Sequence, residues 1–321
     1  MSALFAALAA LLGLIFGSFA TMAAYRIPRR TSLNGRSECP ACGHTITAAE
    51  NVPILSYLIQ RGRCRHCGAK IPVRYPLIEL LTAILFALAA LRFGPSLKAA
   101  VYAAFFWALV MLSVIDIEHR MLPDRVVFPA LAGGALLLLI DAVSENAFGR
   151  MSGVVAASAA TVGALLWILL PRRGPAREDS EDRPGSWLLG LGFVLVWMVL
   201  VGLGIIGDAQ RSISGALVGA AVFAGFFFAV TLLVPRGMGG GDVKLGLLLG
   251  TFLGYLGAPG LVLVAMFMAF LLGSLVSVVV LLAGGSRKSA IPFGPFLSVG
   301  AVASVLLGEQ VIDLYLGLGT G

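Results

Sequence analysis

Four cysteines and two aspartates are the residues of this chain whose type and placement point to chemistry. The cysteines read Cys39-Pro-Ala-Cys42-Gly43-His44 and Cys64-Arg-His66-Cys67-Gly68-Ala. A two-residue gap lets both thiolates of a pair reach one ion, and the doubled motif is close to zinc-ribbon spacing. The glycine after each second cysteine suits the left-handed turn that aims backbone N–H groups at sulfur. Cys39, Cys42, Cys64 and Cys67 would fill a tetrahedral zinc site and leave no open position, which makes the expected zinc structural. His44 and His66 are read as neighbours of that site, since four thiolates already suffice. The competing reading, two disulfides, requires an oxidising compartment.

The aspartates sit beside apolar runs, where an acid needs an account. Asp116 ends one such run in Ser-Val-Ile-Asp116-Ile-Glu118-His119-Arg-Met-Leu-Pro123-Asp124. Asp242 closes Gly237-Met-Gly239-Gly240-Gly241-Asp242-Val-Lys244. Two carboxylates that share a site do not both ionise easily, so one can hold a proton while the other acts as base toward a water. Such a pair hydrolyses peptide bonds without a covalent intermediate. Gly239, Gly240 and Gly241 would supply a backbone able to take positive φ and approach a substrate strand. The residues alone leave a proton or ion path open as well. Asp124 follows a proline and precedes an apolar run, as a helix N-cap would. Glu118 and His119 are expected on a solvated turn.

The elements that must position these groups are membrane helices. Of 321 residues, 59% are hydrophobic and 12% charged, with a mean hydropathy of +0.97. Soluble domains carry about 25% charged residues, so a polytopic membrane protein is implied. Apolar runs fall at 3–24, 77–93, 98–115, 125–141, 151–170, 187–206, 212–234, 245–257, 260–283 and 293–312. This gives an all-α polytopic membrane protein of about ten transmembrane helices, with a small zinc-ribbon-like cytoplasmic domain between the first two. The run 245–257 is short for a straight span. The first run has no basic residue before it and Arg26, Arg29 and Arg30 after it, the reverse of a secretory signal.

Charge fixes the expected orientation. Residues 25–76 hold nine Arg or Lys against two Glu, which equals the whole net charge of +7. With that segment inside, alternation places 19 of the 23 Lys and Arg on the cytoplasmic side and four outside. Asp116 and Asp242 then lie at the same cytoplasmic edge, and the cysteines lie in a reducing compartment, which argues against the disulfides. The basic balance reflects topology and contact with membrane lipids. No stacking aromatic platform accompanies the cysteine domain, so no nucleic-acid partner is expected. Residues 171–186 read as a charged, proline-rich connector.

Taken together, these strings resemble the bacterial prepilin peptidases, the GxGD membrane aspartyl proteases that are also N-methyltransferases. The resemblance rests on Gly17-Ser18-Phe19 leading to Tyr25-Arg26-Ile27-Pro28, both cysteine pairs, and Asn51-Val-Pro-Ile-Leu-Ser56-Tyr57. It continues through Arg61-Gly62-Arg63-Cys64, Arg74-Tyr75-Pro76-Leu-Ile-Glu79, the Asp116 segment, Gly239-Gly240-Gly241-Asp242 with Lys244, and Ile291-Pro292-Phe293-Gly294-Pro295. These modest strings in family order make a specific match over most of the chain.

The resemblance implies cleavage of the short basic leader of type IV prepilins or type II secretion pseudopilins at the cytoplasmic face of the bacterial inner membrane. Methylation of the new N-terminus by S-adenosylmethionine would follow. It implies Asp116 and Asp242 as the catalytic pair, with Asp116 favoured over Asp124. The implied organisation is a first transmembrane helix over 1–24, a methylation-associated zinc domain over 25–76 and a membrane-embedded protease over 77–321. The family commonly shows eight spans, so 151–206 would be an added helical pair, and an even insertion keeps Asp242 inside. No residue declares an S-adenosylmethionine site, and no nucleotide-binding glycine fingerprint is present. The rival readings are a transporter with a zinc-ribbon accessory domain, which would need a polar path through several spans, and a non-catalytic assembly scaffold, which would tolerate loss of either aspartate.

Overall fold

The computed structural model describes residues 2–145, 210–233, 239–257, 260–284 and 292–318. Among them are nine α-helices: α1 (Ser2–Arg26), α2 (Leu55–Ile59), α3 (Arg74–Phe93), α4 (Leu97–His119), α5 (Asp124–Glu145), α6 (Gln210–Leu233), α7 (Gly240–Gly257), α8 (Gly260–Leu282) and α9 (Gly294–Leu318). A 3-10 turn covers Ala48–Asn51, and no multi-residue strand occurs among the described residues. Seven helices are long and apolar enough to cross a membrane: α1, α3, α4, α5, α6, α8 and α9. The chain is therefore a multi-pass membrane protein. The expected short span at 245–257 is part of α7, which begins five residues earlier and carries Asp242 and Lys244 in its opening turns. The expected spans at 151–170 and 187–206, and the connector at 171–186, lie outside the described residues.

The chain divides into two compact units, Met1–Pro123 and Asp124–Gly321. In the first, α1, α3 and α4 pack together. Lipid supplies no hydrophobic drive between helices, so close backbone approach and interhelical hydrogen bonds must hold them. Two glycines of α1 give that approach. A Cβ at Gly13 would lie 2.6 Å from the Ala83 Cα, and one at Gly17 would lie 2.7 Å from the Glu79 Cα. Trp107 Nε1 of α4 donates to the Phe16 carbonyl of α1 at 2.8 Å, and the two rings meet edge to face. The opposite side of α1, with Leu4, Leu8, Leu11 and Ile15, is exposed, as a lipid-facing surface is.

In the second unit, α6 and α7 touch through glycine. A Cβ at Gly250 would lie 2.8 Å from the Ala220 Cα and closer still to the Gly219 carbonyl, and one at Gly219 would lie 2.7 Å from the Gly254 Cα. Helix α5 packs against α7 with Gly134 under the Phe252 ring. Polar clamps tie the pair at both ends. Lys244 Nζ donates to Asp124 Oδ1 at 2.8 Å, and the buried Tyr255 hydroxyl donates to the buried Asp141 Oδ2 at 2.7 Å. Helices α8 and α9 meet over Gly300, and Ser304 Oγ donates to the Leu261 carbonyl at 2.6 Å.

Candidate functional site

The cysteine segment folds as two copies of one small device. In the first, the Cys39 N–H donates to the His44 carbonyl and the Gly43 N–H donates to the Cys39 carbonyl, both at 2.9 Å. In the second, the Cys64 N–H donates to the Ala69 carbonyl and the Gly68 N–H to the Cys64 carbonyl, again both at 2.9 Å. Gly43 at φ 69° and Gly68 at φ 71° close the two turns in the left-handed region, as the spacing predicted. Single antiparallel bridges flank them, Glu38 with Thr45 and Arg63 with Lys70.

The two turns bring all four sulfurs within 4.8 Å of one another. Cys39 Sγ and Cys67 Sγ stand 3.8 Å apart, and none of the four is in a disulfide. A tetrahedron with Zn–S bonds of about 2.3 Å has sulfur–sulfur edges of about 3.8 Å. The four cysteines therefore fit one zinc ion. Backbone N–H groups of Ala41 and Cys42 draw the Cys39 thiol down to about 7. At Cys42 the His44 N–H pulls down, but desolvation and the Cys67 and Cys39 sulfurs outweigh it and push the thiol up to about 11. Thiols crowded around one point do not all ionise unaided, and a cation held among them would let them do so.

The segment is fastened to its unit by a residue that the sequence offered only as part of a family string. Glu79, buried on α3, accepts the Ile54 N–H through Oε2 at 2.7 Å, just ahead of α2. Gly62 at φ 66° tucks beneath Tyr57, whose hydroxyl would lie 2.8 Å from a Cβ there.

Asp116 lies in the last helical turn of α4 and is buried. Its carbonyl accepts the Arg120 N–H at 2.8 Å, and Arg120 closes the helix in the left-handed conformation at φ 53°. The solvated turn expected at Glu118 and His119 is instead the continuation of α4. Glu118 there forms an ion pair with Arg74 of α3. The reason is the helix end: α4 stops only where Arg120 takes positive φ, one turn past Asp116.

Asp242 lies half-buried in the first turn of α7, and its N–H donates to the Gly239 carbonyl at 3.1 Å. The glycines before it differ from the sequence expectation. Gly240 and Gly241 are already helical, and none of Gly239, Gly240 and Gly241 takes positive φ. What they leave is space. A Cβ at Gly240 would meet nothing within 4 Å, and one at Gly239 would meet only the Gly241 nitrogen at 3.9 Å.

The N-cap expected at Asp124 is also replaced. Asp124 is the first residue of α5, and its carboxylate is committed to Lys244 across 120 positions of sequence. Lys244 was visible in the sequence only as a residue two places after Asp242.

In the first unit a small cavity opens among Thr21, Tyr25, Arg74, Tyr75, Ile78 and Glu118, with room for about one water-sized sphere.

Comparison with known proteins follows the same order of segments. The profile of the Bacterial Peptidase A24 N-terminal domain matches residues 11–93, which include all four cysteines. The profile of the Type IV leader peptidase family matches residues 103–176, which include Asp116 and Asp124. A relative from Bacillus subtilis (strain 168), called prepilin leader peptidase/N-methyltransferase, is 30% identical over 316 residues, 96% of this chain and 97% of the relative. Relatives of the same name from Aeromonas hydrophila and Pseudomonas putida are each 30% identical, over 283 and 334 residues, covering 88% and 96% of this chain and 74% and 93% of their own lengths. No solved structure matches the chain. Matched by both family profiles and, over 96% of its length, by a relative 30% identical to it, the chain belongs to the type IV leader peptidase family, a family of membrane aspartic peptidases.

Proposed function

We propose that this chain removes the leader peptide of type IV prepilins or type II secretion pseudopilins and then N-methylates the exposed amine. The observation that carries the reading is the near full-length likeness to relatives called prepilin leader peptidase/N-methyltransferase, joined to two aspartates at the ends of helices. Asp116 and Asp242 are assigned as the catalytic pair. One carboxylate takes a proton from water as that water attacks the scissile carbonyl, and the other donates a proton to the carbonyl oxygen. The tetrahedral adduct then collapses, and the amine leaves with a proton. The open backbone at Gly239, Gly240 and Gly241 is assigned to the approach of the substrate strand.

The basic segment 25–76 supports a cytoplasmic location for both aspartates in the bacterial inner membrane, with residues 77–321 as the protease and 1–24 as the first span. Cys39, Cys42, Cys64 and Cys67 would hold zinc, which would keep the 25–76 domain folded and take no part in bond breaking. Methylation is assigned to the chain through its relatives alone, and no residue is given a role in it. The deciding experiment is co-expression with candidate prepilins, with leader removal and addition of one methyl group read by intact mass. Unprocessed prepilin in the presence of well-folded enzyme, for every candidate tried, would overturn the reading.

A further inference from the structure

Beside the four sulfurs lies a second group of ligand atoms that the four-thiolate site does not use. His44, Glu50 and His66 each offer one such atom, and all three lie within 4.8 Å of one another. The two imidazoles stack with ring centroids 3.4 Å apart, and His44 Nε2 stands 3.9 Å from Glu50 Oε2. That nitrogen is itself buried and makes no hydrogen bond among the described residues. A buried nitrogen with no partner is costly unless something binds it. We propose that His44, Glu50 and His66 form a second cation site, for a divalent first-row transition metal, next to the four-thiolate site.

Ligand chemistry sets the class of ion. Two imidazoles and a carboxylate suit zinc, iron, cobalt or nickel and disfavour the hard, oxygen-seeking magnesium and calcium. With bonds of about 2.05 Å, a tetrahedral ion has ligand–ligand edges of roughly 3.3 Å. The His44–Glu50 separation is 3.9 Å, so a small side-chain adjustment closes it. The carboxylate is already oriented. Glu50 Oε2 accepts the Thr47 N–H at 3.0 Å and the Thr47 hydroxyl at 2.8 Å, the kind of outer support that metal-binding carboxylates have. His66 is exposed, so an ion can enter, and three ligands leave a position for water.

Electrostatics favours the second ion as well. Zinc held by four thiolates carries a net charge of −2, and Glu50 adds another negative charge. A second dication nearby offsets them. Its mechanical effect would be to join three pieces: the first cysteine turn through His44, the 3-10 turn through Glu50, and the second cysteine turn through His66.

The test uses the full-length protein in detergent, purified without added metal and titrated with zinc and, in parallel, with cobalt. Metal per chain is counted by elemental analysis after desalting, and cobalt–thiolate charge-transfer absorption reports the sulfur site separately. The wild type should reach two equivalents. His66→Ala, at an exposed position, and Glu50→Gln should each reach one and keep the thiolate absorption in full. Thr47→Val should weaken the second equivalent by roughly tenfold without abolishing it. Saturation of the wild type at one equivalent would overturn the proposal, as would a second equivalent that survives both His66→Ala and Glu50→Gln. Loss of the thiolate absorption in His66→Ala would overturn it too, because the imidazole would then serve the sulfur site.

Discussion

Exchange of Asp116 or Asp124 for asparagine separates catalysis from helix clamping by magnitude. The two acids are eight positions apart: Asp116 lies in the last turn of α4 and Asp124 opens α5. Asp116 is buried at the end of α4, whereas the Asp124 side chain is 41% exposed and spans 2.8 Å to Lys244, itself 26% exposed. An ion pair with that much solvent contact contributes about 0.2–1 kcal/mol. If the whole of it served to hold α7, and with it Asp242, Asp124→Asn would slow cleavage by at most about fivefold. Asp116→Asn removes a proton-transfer group, and such groups supply roughly 10²–10⁴ in rate.

The two variants should therefore differ by a factor of about 20 or more. Leader removal from a prepilin in vesicles, timed by mass, measures both. Lys244→Met should match Asp124→Asn, and the double variant should be no slower than either single one, because both changes break the same contact. Near-normal cleavage by Asp116→Asn together with a hundredfold loss in Asp124→Asn would refute the assignment. Normal cleavage by both Asp116→Asn and Asp242→Asn would refute the two-aspartate mechanism.

Three further outcomes are expected. Cys64→Ser should lose the metal of the thiolate site, increase proteolysis within residues 25–76 and reduce methylation more than cleavage, measured by elemental analysis, limited proteolysis and product mass. A reporter fused within residues 171–186 should lie in the cytoplasm and one fused near 142–149 outside; the reverse pattern would reject the orientation drawn from the basic residues. Gly250→Val should lower the melting temperature in detergent through a penalty of about 1–3 kcal/mol, since its added atoms meet the backbone of α6 rather than a movable side chain. An unchanged melting temperature would show that α6 and α7 separate without cost.

The sequence by itself determined those features whose causes are local. The turns at Cys39–Gly43 and Cys64–Gly68 close on hydrogen bonds only four residues apart, so spacing and a glycine suffice to specify them. The span positions follow from composition, because lipid excludes unpaired backbone and allows an apolar run little besides a helix. The α4 terminus shows where local reading stops. Asp116 was correctly placed at the end of an apolar run, but Glu118 and His119 were assigned to a turn. They are helical because α4 runs on to the left-handed stop at Arg120, and Glu118 there pairs with Arg74, 44 positions away.

Asp124 teaches the same lesson at longer range. A proline before an acid before an apolar run satisfies every local rule for an N-cap, yet its carboxylate goes to Lys244. Glu79 had no task in the sequence until Ile54 was placed over it, and the glycines of α1, α6 and α7 had no assigned partners. The convergence of His44, Glu50 and His66 was likewise invisible, because they lie 6 and 16 residues apart in sequence and meet only once both cysteine turns have formed. In each case the deciding contact joins segments whose separation along the chain carries no periodic signal, so only the tertiary packing that brings their backbones together could select it.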